Sequence, residues 1–516
     1  MSWQPEIDEL RKRENLAREM GGAEKVAKHR SHGKLTVRDR IAALLDPGTF
    51  HESGMLAGKA EYENGALKSF VAANFVYGTG RIDKRKVVVG GDDFTIRGGA
   101  ADASIKGKQI HAEQMANGLR LPIVRLVDGT GGGGSVKILE RSGATYVPAN
   151  PAWNYVVDNL SVVPVVAACM GSVAGLGAAR VVMSHFSVMI EPTAQLFTAG
   201  PPVVKFATGE NLTKEELGGA KIHRKSGVVD AVVASEQDAF VCIRGFLSYL
   251  PSNVYQVPPV APADDPVDRK EESLLNAVPR NRRQPVRIRP ILSAIFDRDS
   301  VFELARYGGP IVTALARLDG HPVGVIASDP YVGGGVLTVE AADAMIRMVD
   351  LCQTFHLPMV VLTDQPGIAV GTLAERRATI RYAARAVAAV YQATVPTAEI
   401  IIRRCFGVGG AGMTNRHSYV QRYAWPSGDW GSLPIEGGLE AAYRSELEAS
   451  DDPQALLEEI RGRLEAVRSP FRTAEAFGVE EIIDPRETRP LLCEWVRDAY
   501  ALLPSQLGRP AHGTRP

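Results

Sequence analysis

The sequence predicts an α/β fold built from strand–helix units, with the whole fold written twice along the chain. Three observations carry that reading. Short apolar strands alternate with helical patterns through both halves. Four landmarks recur at a nearly constant offset. And 51 of 516 residues are glycine, gathered at turns with no collagen-like period.

Taken in order, residues 4–30 are rich in Glu, Lys, Arg and Ala and read as one surface helix. Residues 37–45 read as a second, stopped by Asp46-Pro47-Gly48. Residues 86–90 (KVVVG) form a strand, 101–117 a helix, and 122–128 (PIVRLVD) and 162–168 two further strands. Residues 251–290 are dense in proline and charge and lack periodicity, which is linker composition. Alternation resumes after residue 300 and runs to a helical C-terminus, with residues 504–516 expected to be loose. These signals place a first domain over 1–255, a linker over 256–295 and a second domain over 296–516.

The repeat is visible in register. Leu121-Pro122 opens a strand ending at Asp128, and Leu357-Pro358 opens one ending at Asp364, 236 positions later. Asp93 and Asp329 share that spacing. Val163-Pro164 and Val395-Pro396 lie 232 apart, and each leads twelve residues on into a small-residue turn: Gly175-Leu176-Gly177 and Gly407-Val408-Gly409.

Composition excludes several classes. Lys plus Arg and Asp plus Glu each total 59, so a chain devoted to neutralising nucleic-acid phosphates is not expected. Five cysteines without a C-x-x-C argue against a disulfide framework or structural zinc. A polar, charged start contains no secretory signal, and the uncharged stretch 160–179 carries Pro164 and three glycines, which suits a strand, turn and small-residue helix better than a membrane span. The expectation is a cytosolic protein with no membrane or nucleic-acid partner.

The glycine turns admit three readings. Residues 129–134 and 407–412 both fit G-x-G-x-x-G, but they fall late in their halves, whereas a dinucleotide fingerprint belongs to the first strand–turn–helix. The turns at 175–177 and 407–409 could present bare main-chain N–H groups to a developing oxyanion. Or they could only allow close strand–helix packing. Side-chain catalysts are scarce: there is no G-x-S-x-G, no H-E-x-x-H, and His223 and His417 stand alone. Asp128 and Asp364 end parallel strands, where they could serve a site or simply cap the next helix.

Three blocks of sequence resemble the carboxyltransferase (β) subunit of biotin-dependent acyl-CoA carboxylases, over nearly the whole chain. They are residues 34–54 (KLTVRDRIAALLDPGTFHESG), residues 197–230 with AGPPVVK, TGE and ELGGA, and residues 469–489 from Ser-Pro-Phe to Thr488-Arg489. The resemblance implies two tandem crotonase-like domains, the first for acyl-CoA and the second for biotin. CO2 would pass from carboxybiotin to the α (or vinylogous γ) carbon of an acyl-CoA. Backbone oxyanion holes would map to Gly175, Leu176 and Gly177 and to Val408 and Gly409. Substrate would meet Gly131, Gly132, Gly133, Gly134, Ala174, Gly200, Lys205 and Ala411, and biotin Phe406, Gly407 and Gly367. No metal is implied. A homo-hexamer is implied, with biotin arriving on a separate biotin carboxylase and carrier (α) subunit, since no Met-Lys-Met attachment motif or ATP-grasp feature is present.

The chain departs from the family at 129–134, where most relatives carry Asp-Ser-Gly-Gly-Ala after the strand, and at 427–438 (SGDWGSLPIEGG). Residues 404–418 and Ala199-Gly200-Pro201-Pro202 look closer to the methylcrotonyl-CoA type, and Ala411 leaves room for a branched or longer acyl group. The same fold also serves decarboxylases run in reverse and non-catalytic assembly partners, and both alternatives stay open.

Overall fold

Three of the first half's strands are buried on both faces, and this follows from their sequences. Ile123–Val127, Val165–Cys169 and Phe186–Ile190 are apolar with little alternation, the pattern of parallel strands covered by helices on each side. In the computed structural model, which describes residues 2–100, 105–129, 139–140, 143–145, 147, 149–304, 309–415 and 419–515, they lie at the centre of a seven-stranded sheet. Its order is His51–Ser53, Phe75–Ile82, Arg85–Asp92, Ile123–Val127, Val165–Cys169, Phe186–Ile190 and Ala231–Val233. The first three pair antiparallel and the remainder parallel.

The second half repeats that order strand for strand: Phe302–Leu304, Ile311–Leu318, His321–Ser328, Met359–Gln365, Thr397–Phe406, Val420–Ala424 and Glu481–Ile482. Again the first three are antiparallel and the rest parallel. Register is conserved as well. Val88 pairs with Ile123 and Gly324 with Met359, and the amides of Val88 and Gly324 donate to the carbonyls of Pro122 and Pro358. The helices Lys106–Leu119 and Val339–Phe355 end in left-handed residues, Arg120 and His356, also 236 apart. The departing segment of the second half supplies a short strand, Asp429–Gly431, parallel to Arg404–Phe406.

The chain divides into Met1–Tyr255 with Arg509–Pro516, and Gln256–Gly508. Three expectations change. The proline-rich segment 256–295 is not a free linker: Ile288–Ile295 is an amphipathic helix whose Ile288, Ile291, Leu292 and Ile295 enter the second unit's core beside Phe296, Leu362, Ile400 and Trp495. The last residues are not loose, because Thr514 is buried and its amide donates to Leu160 O. And the expected helix over 4–30 is two, Gln4–Arg18 and Ala23–Ser31. The break falls at Gly21, which lies against the Thr95 main chain, and Gly22, with φ 91°. The uncharged stretch 160–179 forms the strand Val165–Cys169, the short strand Ser172–Ala174 and the start of a helix. Among the described residues no helix is long and apolar enough to cross a membrane.

Candidate active site

In the first unit the carboxyl ends of the parallel strands meet at a buried ion network. Asp128 follows the strand Ile123–Val127 and is wholly buried. Its carboxylate accepts from Lys34 Nζ at 2.7 Å and Arg40 Nη1 at 2.8 Å. Arg40 turns its other edge to Glu236, with Nε at 2.9 Å and Nη2 at 2.7 Å. The helix Val37–Leu44, opened by a Thr36–Asp39 capping box, and the helix Glu236–Tyr249 are thereby fastened to one strand end. The Asp128 amide donates to Asp92 Oδ2 at 3.2 Å. Burial pushes the Asp92 carboxyl up to about 6, against the pull of Arg180 3.7 Å away. Asp92 thus fixes main chain at the strand end, while the Asp128 carboxylate is engaged by two cations.

Beyond this hub the chain enters the first glycine turn. Ser172–Ala174 pairs in parallel with Gln195–Phe197, and Gly175 comes next at φ 58°, ψ −117°, a conformation that an L side chain adopts only under strain. The Gly175 amide is already engaged, donating to Phe197 O at 3.2 Å and Thr198 O at 3.1 Å. The helix Leu176–Val182 begins immediately after, so the amides of Leu176 and Gly177 fall in its first turn, where no intrahelical acceptor exists, and neither meets a main-chain carbonyl among the described residues. A Cβ on Gly177 would lie 2.9 Å from Val173 Cγ1 and 3.2 Å from Gly129 O, which places the turn against the end of the Asp128 strand.

A helix of seven residues has little stability of its own. Arg125, a charged residue inside an apolar strand, holds its far end: Nη1 donates to Arg180 O at 3.1 Å and Met183 O at 2.6 Å. Glu113 grips the same guanidinium at 2.7 and 2.8 Å, both side chains being buried.

Of the residues expected to meet substrate, Ala174 pairs with Phe197, and Gly200 lies two residues past Thr198, so both stand at this turn. Gly200 caps the exposed helix Pro201–Thr208, which carries Lys205 with exposed Val203 and Phe206. Gly131, Gly132, Gly133 and Gly134 lie outside the described residues, as does His417. Both ring nitrogens of His223 are engaged, Nε2 with Leu196 O at 2.6 Å and Nδ1 with Ser226 Oγ at 3.2 Å, a structural role.

The second unit places Asp364 where the first places Asp128, with different cations. Arg403 reaches it with Nη2 at 2.7 Å and Arg404 with Nε at 2.6 Å, and the Arg404 amide adds a bond at 3.2 Å. Burial alone would raise this carboxyl, but the hydrogen bonds from Arg404 and Arg403 outweigh it and hold it below the usual range. Arg404 Nη2 also donates to Gly334 O, and Arg403 Nη1 to Gln284 O.

The strand Thr397–Phe406 then runs into Gly407, at φ 57°, and the short helix Gly407–Ala411. Gly409 packs on main chain: a Cβ there would lie 2.9 Å from Gly367 C and 3.2 Å from Ile368 N. Gly367 donates its amide to Gln365 Oε1 at 2.9 Å, and Gln365 Nε2 is buried without a partner among the described residues. Phe406, Gly407, Gly409 and Gly367 therefore form one assembly, with Phe406 buried and the Val408 side chain outside. Ala411 ends the helix, exposed, its carbonyl 3.4 Å from Tyr391 Oη. Among the described residues no group of three or more His, Cys, Asp or Glu is placed to hold a metal ion.

Lys34, Arg40, Glu236, Glu113, Arg403 and Gln365 were not singled out by sequence. The one local signal was Arg125 inside PIVRLVD, a charge where the strand pattern demands an apolar residue.

The site is thus a duplicated α/β fold whose equivalent strand ends lead into glycine turns, with the nearby carboxylates tied up in ion pairs. Comparison with known proteins gives its family. Residues 28–500 match the carboxyl transferase domain. The chain is 33% identical over 507 residues to the propionyl-CoA carboxylase carboxyltransferase subunit of Haloferax mediterranei, covering 95% of each. It is 30% identical over 494 residues to the methylmalonyl-CoA decarboxylase subunit alpha of Veillonella parvula, covering 94% of this chain and 93% of that one. The crystal structure of transcarboxylase 12S, a hexamer described with methylmalonyl-coenzyme A bound, superposes with a TM-score of 0.87 at 28% identity, over 100% of this chain and 97% of that one. The chain belongs to the carboxyl transferase family and is a carboxyltransferase, with the two tandem crotonase-like domains that the sequence led us to expect.

Proposed function

We propose that this chain is the carboxyltransferase subunit of a biotin-dependent acyl-CoA carboxylase, moving a carboxyl group from carboxybiotin to the carbon beside an acyl-CoA thioester. The observation that carries the proposal is the pair of strand-to-turn sites, one in each repeat, built from bare main chain. In the first, the Leu176 and Gly177 amides hold the thioester oxygen as negative charge builds on it, while Gly175 shapes the turn; the α-proton would pass to the ureido nitrogen that gives up the carboxyl group. Ala174, Gly200, Lys205 and the glycines 131–134 border the acyl-CoA. Preorganised donors of this kind are each worth about 10²–10³ in rate.

In the second, Val408 and Gly409 offer their amides, with Phe406, Gly407 and Gly367 around them and Ala411 at the acyl side. The residues present fit a flat ureido ring: the Val408 and Gly409 amides lie in a first helical turn with no intrahelical acceptor, and Gln365 Nε2, in the adjoining turn, has no partner among the described residues. When bound, biotin supplies the activated carboxyl group. This chain contributes orientation and charge stabilisation at both oxygens.

We place biotin on a separate carboxylase and carrier subunit and the enzyme in the cytoplasm, and the transcarboxylase 12S hexamer supports a hexamer here. The small residues favour a branched or longer acyl group. The likeness to a methylmalonyl-CoA decarboxylase subunit favours one second reading, in which the same sites work in the decarboxylating direction. The test combines the purified chain, a carboxylated biotinyl carrier and a series of acyl-CoAs, with products identified by mass spectrometry. Carboxyacyl-CoA formation, best with branched or longer chains, is expected. Turnover far higher with propionyl-CoA would overturn the acyl assignment, and no product with any substrate would favour a non-catalytic partner.

A further inference from the structure

A cavity of about 420 Å³ opens in the second unit between the segment 273–291 and Tyr331. That volume lies in the range of small-molecule sites. None of Gly367, Phe406, Gly407 or Gly409 lines it, so it is separate from the turn described above.

Its chemistry is specific. Among the described residues the lining contains one cation, Arg287, and no carboxylate. The Arg287 guanidinium sits 5.1 Å from the centre of the Tyr331 ring and makes no hydrogen bond or ion pair among the described residues. Its neighbour Arg289, by contrast, is bound to both Glu303 and Asp329. The base of the cavity is apolar, made by Leu274 and Ile291, which are buried members of the core. Ser273 and Asn276 add neutral polar groups. A single unpaired guanidinium above an apolar surface matches an anion with one charged end and a hydrocarbon body. A polyphosphate would need more than one cation, and a neutral ligand would leave the guanidinium unused.

We propose that this cavity is a second ligand site that binds a small organic monocarboxylate, its carboxylate on Arg287 and its body over Leu274 and Ile291. The wall is physically joined to the strand end: Gln284 lines the cavity, and its carbonyl accepts from Arg403, which in turn holds Asp364.

Calorimetric titration of the full-length chain with octanoate tests this. Saturable binding is expected, with octanamide at least about tenfold weaker because it lacks the charge. Arg287→Met should weaken octanoate by about tenfold or more, and since Arg287 is solvent-exposed this variant keeps its fold. Ile291→Trp, which fills the cavity, should abolish binding. Absence of saturable binding, equal affinity for octanamide, unchanged affinity in Arg287→Met, or tighter binding of inorganic phosphate than of octanoate would each overturn the proposal.

Discussion

Replacing Gly409 with alanine separates the proposed role of the second turn from simple packing. The backbone at Gly409 is not in the left-handed region, so alanine suffers no conformational strain there. The cost is steric. The new Cβ would lie 2.9 Å from Gly367 C, 3.0 Å from its Cα and 3.2 Å from Ile368 N, all main chain. Ordinary contact begins near 3.4 Å, so the two turns must part by roughly 0.5 Å, an overpacking worth about 1–3 kcal/mol. If the Val408 and Gly409 amides hold a substrate oxygen, that displacement should lower kcat by about 10- to 100-fold. Steady-state kinetics of carboxyacyl-CoA decarboxylation, with free biotin varied and separately with the carboxyacyl-CoA varied, reads this directly. The expected result is a fall in kcat with KM for the carboxyacyl-CoA unchanged. A matched control is Gly462→Ala in the helix Pro453–Val467, where nothing lies within 4 Å of the new Cβ. It should stabilise the protein by about 0.5–1 kcal/mol with kinetics intact. Wild-type biotin kinetics in a destabilised Gly409→Ala protein would refute the reasoning.

The first unit gives two further outcomes. Arg40→Met strands Glu236 as a buried carboxylate and leaves Asp128 with Lys34 alone, and denaturant unfolding should show a loss of about 3–5 kcal/mol; a loss below about 1 kcal/mol would mean the network is not the fastening described. Asp92, pushed up to about 6 from an ordinary 3.8, gives a pH signature of defined sign. Below pH 3.8 both folded and unfolded states hold the proton. Between there and pH 6 only the folded state does, so stability falls as pH rises, and above about 6 the whole penalty is present. The stability difference between Asp92→Asn and wild type should therefore shift towards asparagine by about 2–3 kcal/mol between pH 4 and pH 7.5; a flat difference would contradict the assignment.

What was legible in the sequence was mostly local. Asp128 and Asp364, Asp93 and Asp329, and the Leu-Pro strand openings exposed the duplication, because strand ends and helix caps are written within a few residues of where they act. The structure returns them in identical strand order and register. The expectations that changed depend on distant partners. Proline and arginine around residues 279–290 mask the apolar face of Ile288–Ile295, which becomes evident only when Trp495 and Leu362 cover it. The ion hub at Asp128 draws Lys34 and Arg40 from 94 and 88 positions away, and no window of sequence joins them. Gly175 was grouped with Leu176 and Gly177 as a donor, yet its amide is bonded to Phe197 and Thr198, residues reached only once the two short strands pair. The glycines themselves divide by role: Gly175 and Gly407 shape turns through positive φ, and Gly409 permits close approach of main chain.

The central claim is that the bare main chain of both repeats supports carboxyl transfer between biotin and an acyl-CoA. Its most direct test is the release of CO2 from a carboxyacyl-CoA, malonyl- through methylmalonyl- to longer chains, by the purified chain with and without free biotin. The account predicts release that depends on biotin and saturates with it. Release of CO2 independent of biotin, or none with any carboxyacyl-CoA, would contradict it.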